Sequence, residues 1–334
     1  MDYSIIIPAF NAETTIASCL EAVLAQNFPR DQYEVVVVDD GSTDTTSKII
    51  QTFPVLYIHQ ENKGPAAARN KGAQIATGDI VLFTDADCVP NHNWLEEMVS
   101  PFLVSEKISG VKGAYKTAQQ SLTARFAQAE FEDRFALLKK SAFIDMVDTY
   151  SAAFKREVFC GVGGFDPSFP VANNEDTELS YRLVASGHRL VFNPRAFVYH
   201  THPDTLKKYL RVKFWRGYWR VIVYARYPGK AIKDSYTPAV IKLQTLIMLL
   251  LYLLLPVCFF SRWVLMGGPM LLIVLFLTTI PFSMSVFRKD KYLACISPVY
   301  CFLRAGVFAA GSMGACISVI INKIRHNLDP STLA

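Results

Sequence analysis

Short apolar runs bounded by polar turns alternate with helically spaced apolar positions through the first ninety residues, and long apolar runs take over toward the C-terminal end. Tyr3-Ser4-Ile5-Ile6-Ile7-Pro8 predicts a first strand, closed by its proline. Ile16, Leu20, Val23 and Leu24 then recur at helical spacing within Thr14 to Gln26. Tyr33 to Val38 predicts a second strand, followed by a helix from about Thr45 to Phe53 that Ser42 or Asp44 is placed to cap. A third strand over Val55 to His59 and a third helix over Pro65 to Thr77 lead into a fourth strand, Ile80-Val81-Leu82-Phe83. Four alternations of strand and helix predict an α/β fold with a mostly parallel, Rossmann-like sheet flanked by helices. Such sheets bind ligands beyond the carboxyl ends of their strands. Those ends carry Pro8-Ala9-Phe10-Asn11, Asp39-Asp40 and Asp85-Ala86-Asp87.

Residues alternate faces along an extended backbone, so Asp85 and Asp87 point the same way where the fourth strand runs out. Two hard oxygen ligands at that place suit a Mg²⁺ or Mn²⁺ that also binds a diphosphate. A solvated Asp-x-Asp turn is the plainer account of the pair alone. Three polar clusters on one sheet edge favour a nucleotide site over three unrelated turns.

Composition changes the picture at the C-terminal end. Of the 334 residues, 51% are apolar and only 19% charged, and the imbalance concentrates after about Leu243. Three stretches, 243–260, 263–287 and 292–321, approach or exceed the roughly 20 residues that span a bilayer. Ser261-Arg262 reads as a tight outer turn and Arg288-Lys289-Asp290-Lys291 as a basic inner loop. The third stretch is divided evidence: Arg304 lies within it, Pro298 interrupts it, and a third crossing puts Lys323 and Arg325 outside. A partly submerged helix on the inner face is the alternative. Met1-Asp2-Tyr3 runs straight into a strand without a signal-peptide pattern, so the expected place is a multi-pass inner (cell) membrane protein with its N-terminal domain cytoplasmic. The expected division is 1–202, 203–238 and 239–334. From Pro203 to Asp234 there are nine Lys/Arg against two Asp, with Trp215, Tyr218, Trp219 and Tyr224 interleaved. That pattern fits helices lying among anionic lipid headgroups and not a nucleic-acid surface. The seven cysteines show no metal spacing and read as reduced structural thiols.

Ile6-Ile7-Pro8-Ala9-Phe10-Asn11, Val37-Val38-Asp39-Asp40-Gly41-Ser42-Thr43-Asp44, Ala68-Arg69-Asn70-Lys71-Gly72-Ala73 and Asp85-Ala86-Asp87, in that order and spacing, resemble glycosyltransferase family 2 in its membrane-anchored bacterial and archaeal form. The resemblance continues through Gly163-Gly164-Phe165-Asp166 and Asn174-Glu175-Asp176, covering roughly the first 200 residues. It implies the GT-A fold, a nucleotide-diphosphate-sugar donor (a UDP- or GDP-sugar), a divalent metal and inversion at the anomeric carbon. By that resemblance Asp40 accepts from the donor's base, with Pro8, Phe10 and Asn11 as the near wall. Asp39 then supports Asp40 or stabilises the Gly41 turn. Glu13 approaches the nucleotide or simply sits at a helix start. Arg69 meets the diphosphate or forms a surface salt bridge. Asp87 is implied as metal ligand, with Asp85 bridging to ribose or metal and His200 completing the shell; a structural histidine is the competing account.

Inversion by direct displacement needs a general base. The resemblance puts Asp176 in that role and Glu175 beside it to orient it, while the acidic first turn of a helix accounts for both equally well. Gly163 and Gly164 fall in a glycine-rich segment read as a flexible loop that closes over donor and acceptor. Processive polysaccharide synthases of the family carry Gln-x-x-Arg-Trp where this chain has Lys213-Phe214-Trp215-Arg216-Gly217, which puts polymerisation in doubt and leaves Trp215 and Arg216 as acceptor-side or interfacial candidates. The expected activity is transfer of a sugar to a lipid-linked or membrane-proximal glycan in cell-surface polysaccharide or glycoconjugate synthesis. A polyprenyl-phosphate glycosyltransferase and a catalytically silent nucleotide-binding membrane scaffold are the alternatives. A nucleotidyltransferase fits less well, since no Gly-rich basic loop follows the first strand.

Overall fold

The computed structural model describes residues 2–169, 173–259 and 262–328. The chain forms two compact units, Met1–Gln119 with Phe135–His202, and Gln120–Arg134 with Pro203–Ala334.

The first unit is built on one eight-stranded mixed sheet with flanking helices. In chain order its elements are β1 (Tyr3–Ala9), α1 (Ile16–Leu24), β2 (Tyr33–Asp39), α2 (Thr46–Ile50), β3 (Leu56–His59), α3 (Pro65–Ile75), β4 (Ile80–Phe83), β5 (Cys88–Pro90), α4 (Trp94–Val104), β6 (Ile108–Lys116), α5 (Leu122–Leu138), β7 (Ala152–Lys155), α6 (Arg156–Gly161), α7 (Glu175–Ala185) and β8 (Arg189–His200). The sheet order is β3-β2-β1-β4-β7-β6-β8-β5. Its first half is parallel, as the alternating pattern predicts, with Ala9 opposite Asp39 and Ile6 opposite Phe83. Ile5 to Ile7 and Val36 to Val38 are wholly buried, the continuous apolar run expected of strands covered on both faces. The second half departs from the parallel expectation: β7 runs antiparallel to β4 and to β6, and β5 antiparallel to β8. Helices still separate these strands along the chain, and β6 pairs parallel with β8, so strand–helix alternation by itself did not set the direction of β5 and β7.

The second unit is helical. Beside the first turns of α5 it contains α8 (Leu206–Arg226), α9 (Pro228–Ile232), α10 (Ala239–Leu254), α11 (Arg262–Leu277), α12 (Ile280–Phe287) and α13 (Lys291–Leu328). Three segments, Ala239–Val257, Gly267–Phe287 and Lys291–Ile320, are long and apolar enough to cross a membrane. The second is divided at Thr278-Thr279 between α11 and α12, whereas the third is one unbroken helix. Pro298 therefore does not interrupt it. The Ala294 carbonyl that Pro298 leaves without its usual donor accepts from Ser297 Oγ at 2.9 Å. The expected Ser261-Arg262 turn rests on a residue outside those described, as do the side chains of Lys323 and Arg325.

Arg304, the cation inside the third apolar stretch, is 4% exposed and donates to Glu130 Oε1 at 2.7 Å and to Gln244. Glu130 also accepts from Tyr209 at 2.9 Å and pairs with Lys213 at 2.7 Å. Burial works against the Glu130 charge, but Lys213, Arg304 and Arg134 outweigh it and hold the carboxyl far below its ordinary range. This buried cluster ties residues 120–134 to the helices that follow residue 203, a tie the sequence pattern did not reveal.

Helices α8 and α13 meet through small residues. A Cβ on Gly217 would lie 2.3 Å from the Phe308 carbonyl oxygen, and one on Gly311 would lie 2.0 Å from that of Phe214. Glycine here buys close backbone approach.

Candidate active site

Parallel pairing brings the carboxyl ends of β1, β2 and β4 to one edge of the sheet, where the three polar clusters lie together. Asn11 takes a left-handed backbone (φ 47) and accepts from Thr43 N at 2.8 Å, while its own N–H donates to Ser42 Oγ at 3.0 Å. Glu13 accepts from Thr45 N at 3.1 Å and Thr45 Oγ1 at 2.7 Å. Asp44, one residue before the Thr45 N-cap of α2, accepts from Thr46 N at 2.9 Å. These bonds stitch the loop after β1 to the loop after β2. Phe10, half exposed at the edge, leaves an aromatic face open next to Pro8.

Asp40 is buried and accepts from Gln60 Nε2 at 2.7 Å, Lys63 N at 2.9 Å and Gly64 N at 2.9 Å. It thereby shapes the loop that enters α3. Asp39 is fully buried and accepts from Ser42 N at 3.0 Å and Tyr57 Oη at 2.9 Å, with the His59 ring at 3.3 Å. The bond to Ser42 N holds the turn at Gly41.

Arg69 lies neither on the surface nor in solvent. Its guanidinium is 1% exposed and bridges Asp85 at 2.6 Å and Glu175 at 3.0 Å. Residues 16 and 106 positions away are thus joined through one side chain on α3. Glu175 opens α7 with one oxygen, Oε2, buried and without a hydrogen-bond partner among the described residues. Burial and the neighbouring Asp176 charge push its carboxyl up to about 7, against the pull of Arg69. Asp176 is half-buried, and its Oδ1 accepts from Thr177 N at 2.6 Å.

The glycine-rich segment, read from its composition as a flexible closing loop, is hydrogen-bonded to its surroundings around Gly163 and Gly164. Gly163 and Gly164 adopt φ values of 89 and 65, and the turn they make is clamped. Asn70 exchanges two hydrogen bonds with the Phe165 backbone, at 2.7 and 2.8 Å, and Arg182 donates to the Gly164 carbonyl at 2.8 Å. Asn70 went unnoticed in the sequence, although it stands directly after Arg69 in the quoted motif.

At the other side of the edge, β5 pairs with β8 so that Cys88 stands opposite His200. Ligand atoms of Asp87, Cys88 and His200 lie within 4.8 Å of one another. His200 stacks on Tyr115, centroids 5.3 Å apart, and its Nδ1 is buried without a hydrogen-bond partner among the described residues. Burial pushes the Asp87 carboxyl up, His200 opposes this and Asp85 adds to it. A divalent cation would relieve all of these: it holds Asp87 ionised and gives the orphaned imidazole nitrogen a partner. Burial and the two aspartates raise the Cys88 thiol well above its ordinary value. The residues fit a metal. His202, in contrast, is held through its backbone by Gln119, at 2.6 and 3.0 Å. Trp215 and Arg216 lie on α8 in the helical unit.

This edge, an Asp-x-Asp pair beside a helix-borne acid on a sheet that mixes parallel and antiparallel pairs, has the architecture of the GT-A class of sugar-transferring folds. The glycosyl transferase family 2 model matches residues 4–159. The chain is 32% identical to the glycosyltransferase AglE of Haloferax volcanii, over 63% of this chain and 71% of that one. It is 26% identical to a glucosyl-dolichyl phosphate glucuronosyltransferase of the same organism, over 68% of this chain and 79% of that one. Longer relatives are spanned over about half of their length. Among solved structures, the mannosyltransferase PcManGT from Pyrobaculum calidifontis, in complex with GDP-Man and Mn²⁺, superposes with a TM-score of 0.60 at 23% identity, covering 94% of this chain and 86% of that one. The chain belongs to glycosyl transferase family 2 and is a glycosyltransferase.

Proposed function

We propose that the protein is a membrane-anchored, metal-dependent, inverting glycosyltransferase. It moves one sugar from a UDP- or GDP-sugar to a hydroxyl of a lipid-linked or membrane-proximal glycan, on the cytoplasmic side of the membrane. The observation that carries the reading is the Asp85–Arg69–Glu175 bridge, because it joins the Asp-x-Asp pair to the helix start that bears Asp176.

In this reading Phe10, Pro8 and Asn11 receive the base, and Asp40 offers its remaining acceptor capacity to it. Asp87, His200 and Asp85 hold a Mg²⁺ or Mn²⁺, which supplies charge neutralisation for the leaving diphosphate. Asp176, the most exposed of the three acids in the first turn of α7, takes the proton of the acceptor hydroxyl as its oxygen attacks the anomeric carbon. Glu175, locked on Arg69, fixes the helix start that presents Asp176. The clamped Gly163-Gly164 turn forms a rigid wall on the acceptor side. Three segments long and apolar enough to cross a membrane support membrane association, and the similarity to a glucosyl-dolichyl phosphate glucuronosyltransferase supports a lipid-borne acceptor.

Membranes containing the protein, supplied with a panel of nucleotide sugars, Mn²⁺ or Mg²⁺ and lipid extract, test this through release of nucleoside diphosphate. Lipid-dependent release that disappears in both Asp87→Ala and Asp176→Asn is expected. Release that survives Asp176→Asn but not Asp87→Ala would favour an already ionised acceptor, a lipid phosphate. Nucleotide binding without turnover across the panel would favour a scaffold.

A further inference from the structure

The helical unit contains a cavity of about 580 Å³, apart from the sheet edge described above, between α5, α8, α9, α10 and α13. Most of its wall is apolar, including Val221, Ile241, Leu246, Leu249, Phe308 and Ile317. Four cations also line it, Arg134, Arg216, Arg220 and Lys242, and no acid is among the described residues lining it. An apolar cavity with charge of one sign fits an amphiphile of the opposite sign.

Arg134 is the sharpest feature. It is 6% exposed, and its Nη1 is buried without a hydrogen-bond partner among the described residues. Its guanidinium lies against the rings of Phe131 and Tyr236, 4.9 and 5.2 Å from their centroids, which orients it without satisfying that nitrogen. Glu130, four residues earlier on the same helix, is engaged directly by Lys213 and Arg304. Lys242 is paired with Asp234 at 2.9 Å, and Tyr224 Oη donates to the same carboxylate at 3.2 Å. A buried guanidinium nitrogen without a partner is costly, and a phosphate oxygen is the acceptor its geometry matches best.

We propose that this cavity binds a single-chain lipid bearing a terminal phosphate or diphosphate. The hydrocarbon chain lies against Leu246, Leu249 and Phe308, and the phosphate meets Arg134 and Arg220. At about 580 Å³ the cavity has the size that takes one drug-sized ligand (roughly 300–1,000 Å³), so it admits one chain and not the two of a bilayer phospholipid. Two of the helices around it, α10 and α13, are apolar enough to cross a membrane, where such a lipid resides. The assignment rests on the reading of a lipid-borne acceptor, whose lipid phosphate end it would hold.

Binding without donor sugar separates the two. The full chain is placed in nanodiscs of zwitterionic phospholipid and titrated with fluorescent geranylgeranyl monophosphate. The corresponding prenol and phosphatidylglycerol serve as competitors. Saturable binding is expected, weakened at least tenfold in Arg134→Gln and in the cavity-filling variant Thr245→Phe, with both competitors ineffective. Nucleotide binding, read on the same samples, reports that each variant is folded. Equal competition by the prenol would overturn the role of the phosphate, and equal competition by phosphatidylglycerol the single-chain assignment. Undiminished binding in both folded variants would overturn the site. Prenyl phosphate binding in a protein that transfers sugar to no lipid would keep the site and remove the acceptor reading. Lipid-dependent transfer with no prenyl phosphate binding would do the reverse.

Discussion

Arg69 shows how a residue read as a ligand of the donor becomes something else in three dimensions. Its charge and its place in the Ala68-Arg69-Asn70 motif mark it in the sequence, but its two partners come from β4 and α7 and no pattern announces them. Arg69→Met leaves Glu175 and Asp85 facing one another without a cation, so a stability loss of about 3–5 kcal/mol is expected from thermal unfolding. Sugar transfer should fall on the order of 10²-fold as the Asp176 helix start shifts. Arg69→Lys should restore stability in part and turnover little, because one ammonium replaces a fork that spans two carboxylates. Glu130 offers a second test. Its carboxyl is held below the ordinary carboxylate range, so the stability it contributes is complete above that range and is lost as pH falls through it. In detergent, melting temperature should decline steeply below about pH 4.5, the unfolded carboxylate value. Glu130→Gln should lower stability at neutral pH by about 3–5 kcal/mol and flatten that decline.

At the scale of elements, α8 and α13 depend on Gly217 and Gly311, since the atoms nearest to an added Cβ are backbone carbonyl oxygens that have no rotamer with which to move. Gly311→Ala is expected to cost about 1–3 kcal/mol in thermal unfolding. Gly229→Ala, where an added Cβ meets nothing within 4 Å, should stay within about 0.5 kcal/mol of the parent. The Lys213-Phe214-Trp215-Arg216-Gly217 segment, read at first for its distance from the synthase motif, thus includes a packing glycine and a buried lysine bound to Glu130. Elements with a strong period were legible: β1 to β4 and α1 to α3 stand within a few residues of their predicted spans. The antiparallel pairings were not, because which strand lies beside which, and in which direction, is set by packing between elements far apart in the chain.

For the whole molecule, a chain with three membrane-compatible helices and, as proposed, its catalytic unit on the cytoplasmic side should resist carbonate extraction. With Cys160 as the sole cysteine, a membrane-impermeant maleimide is expected to label it only after permeabilisation, since Cys160 is exposed on the catalytic unit. Labelling in intact cells would reverse the orientation. The division of the molecule was only partly legible. Residues 120–134 lie within the catalytic stretch of the sequence, yet they belong to the helical unit through Glu130 and its three partners. What the sequence by itself determined were the properties that local order carries: the alternating strands and helices, the acids at strand ends, the spanning lengths and the family motifs. These follow from backbone periodicity and from residues a few positions apart. What only the tertiary structure decided were the partners of buried charges: Arg69 with Asp85 and Glu175, Arg304 and Lys213 with Glu130, His200 beside Asp87. A buried charge is tolerated wherever any opposite charge reaches it, and which one does so is set by packing between elements far apart in the chain.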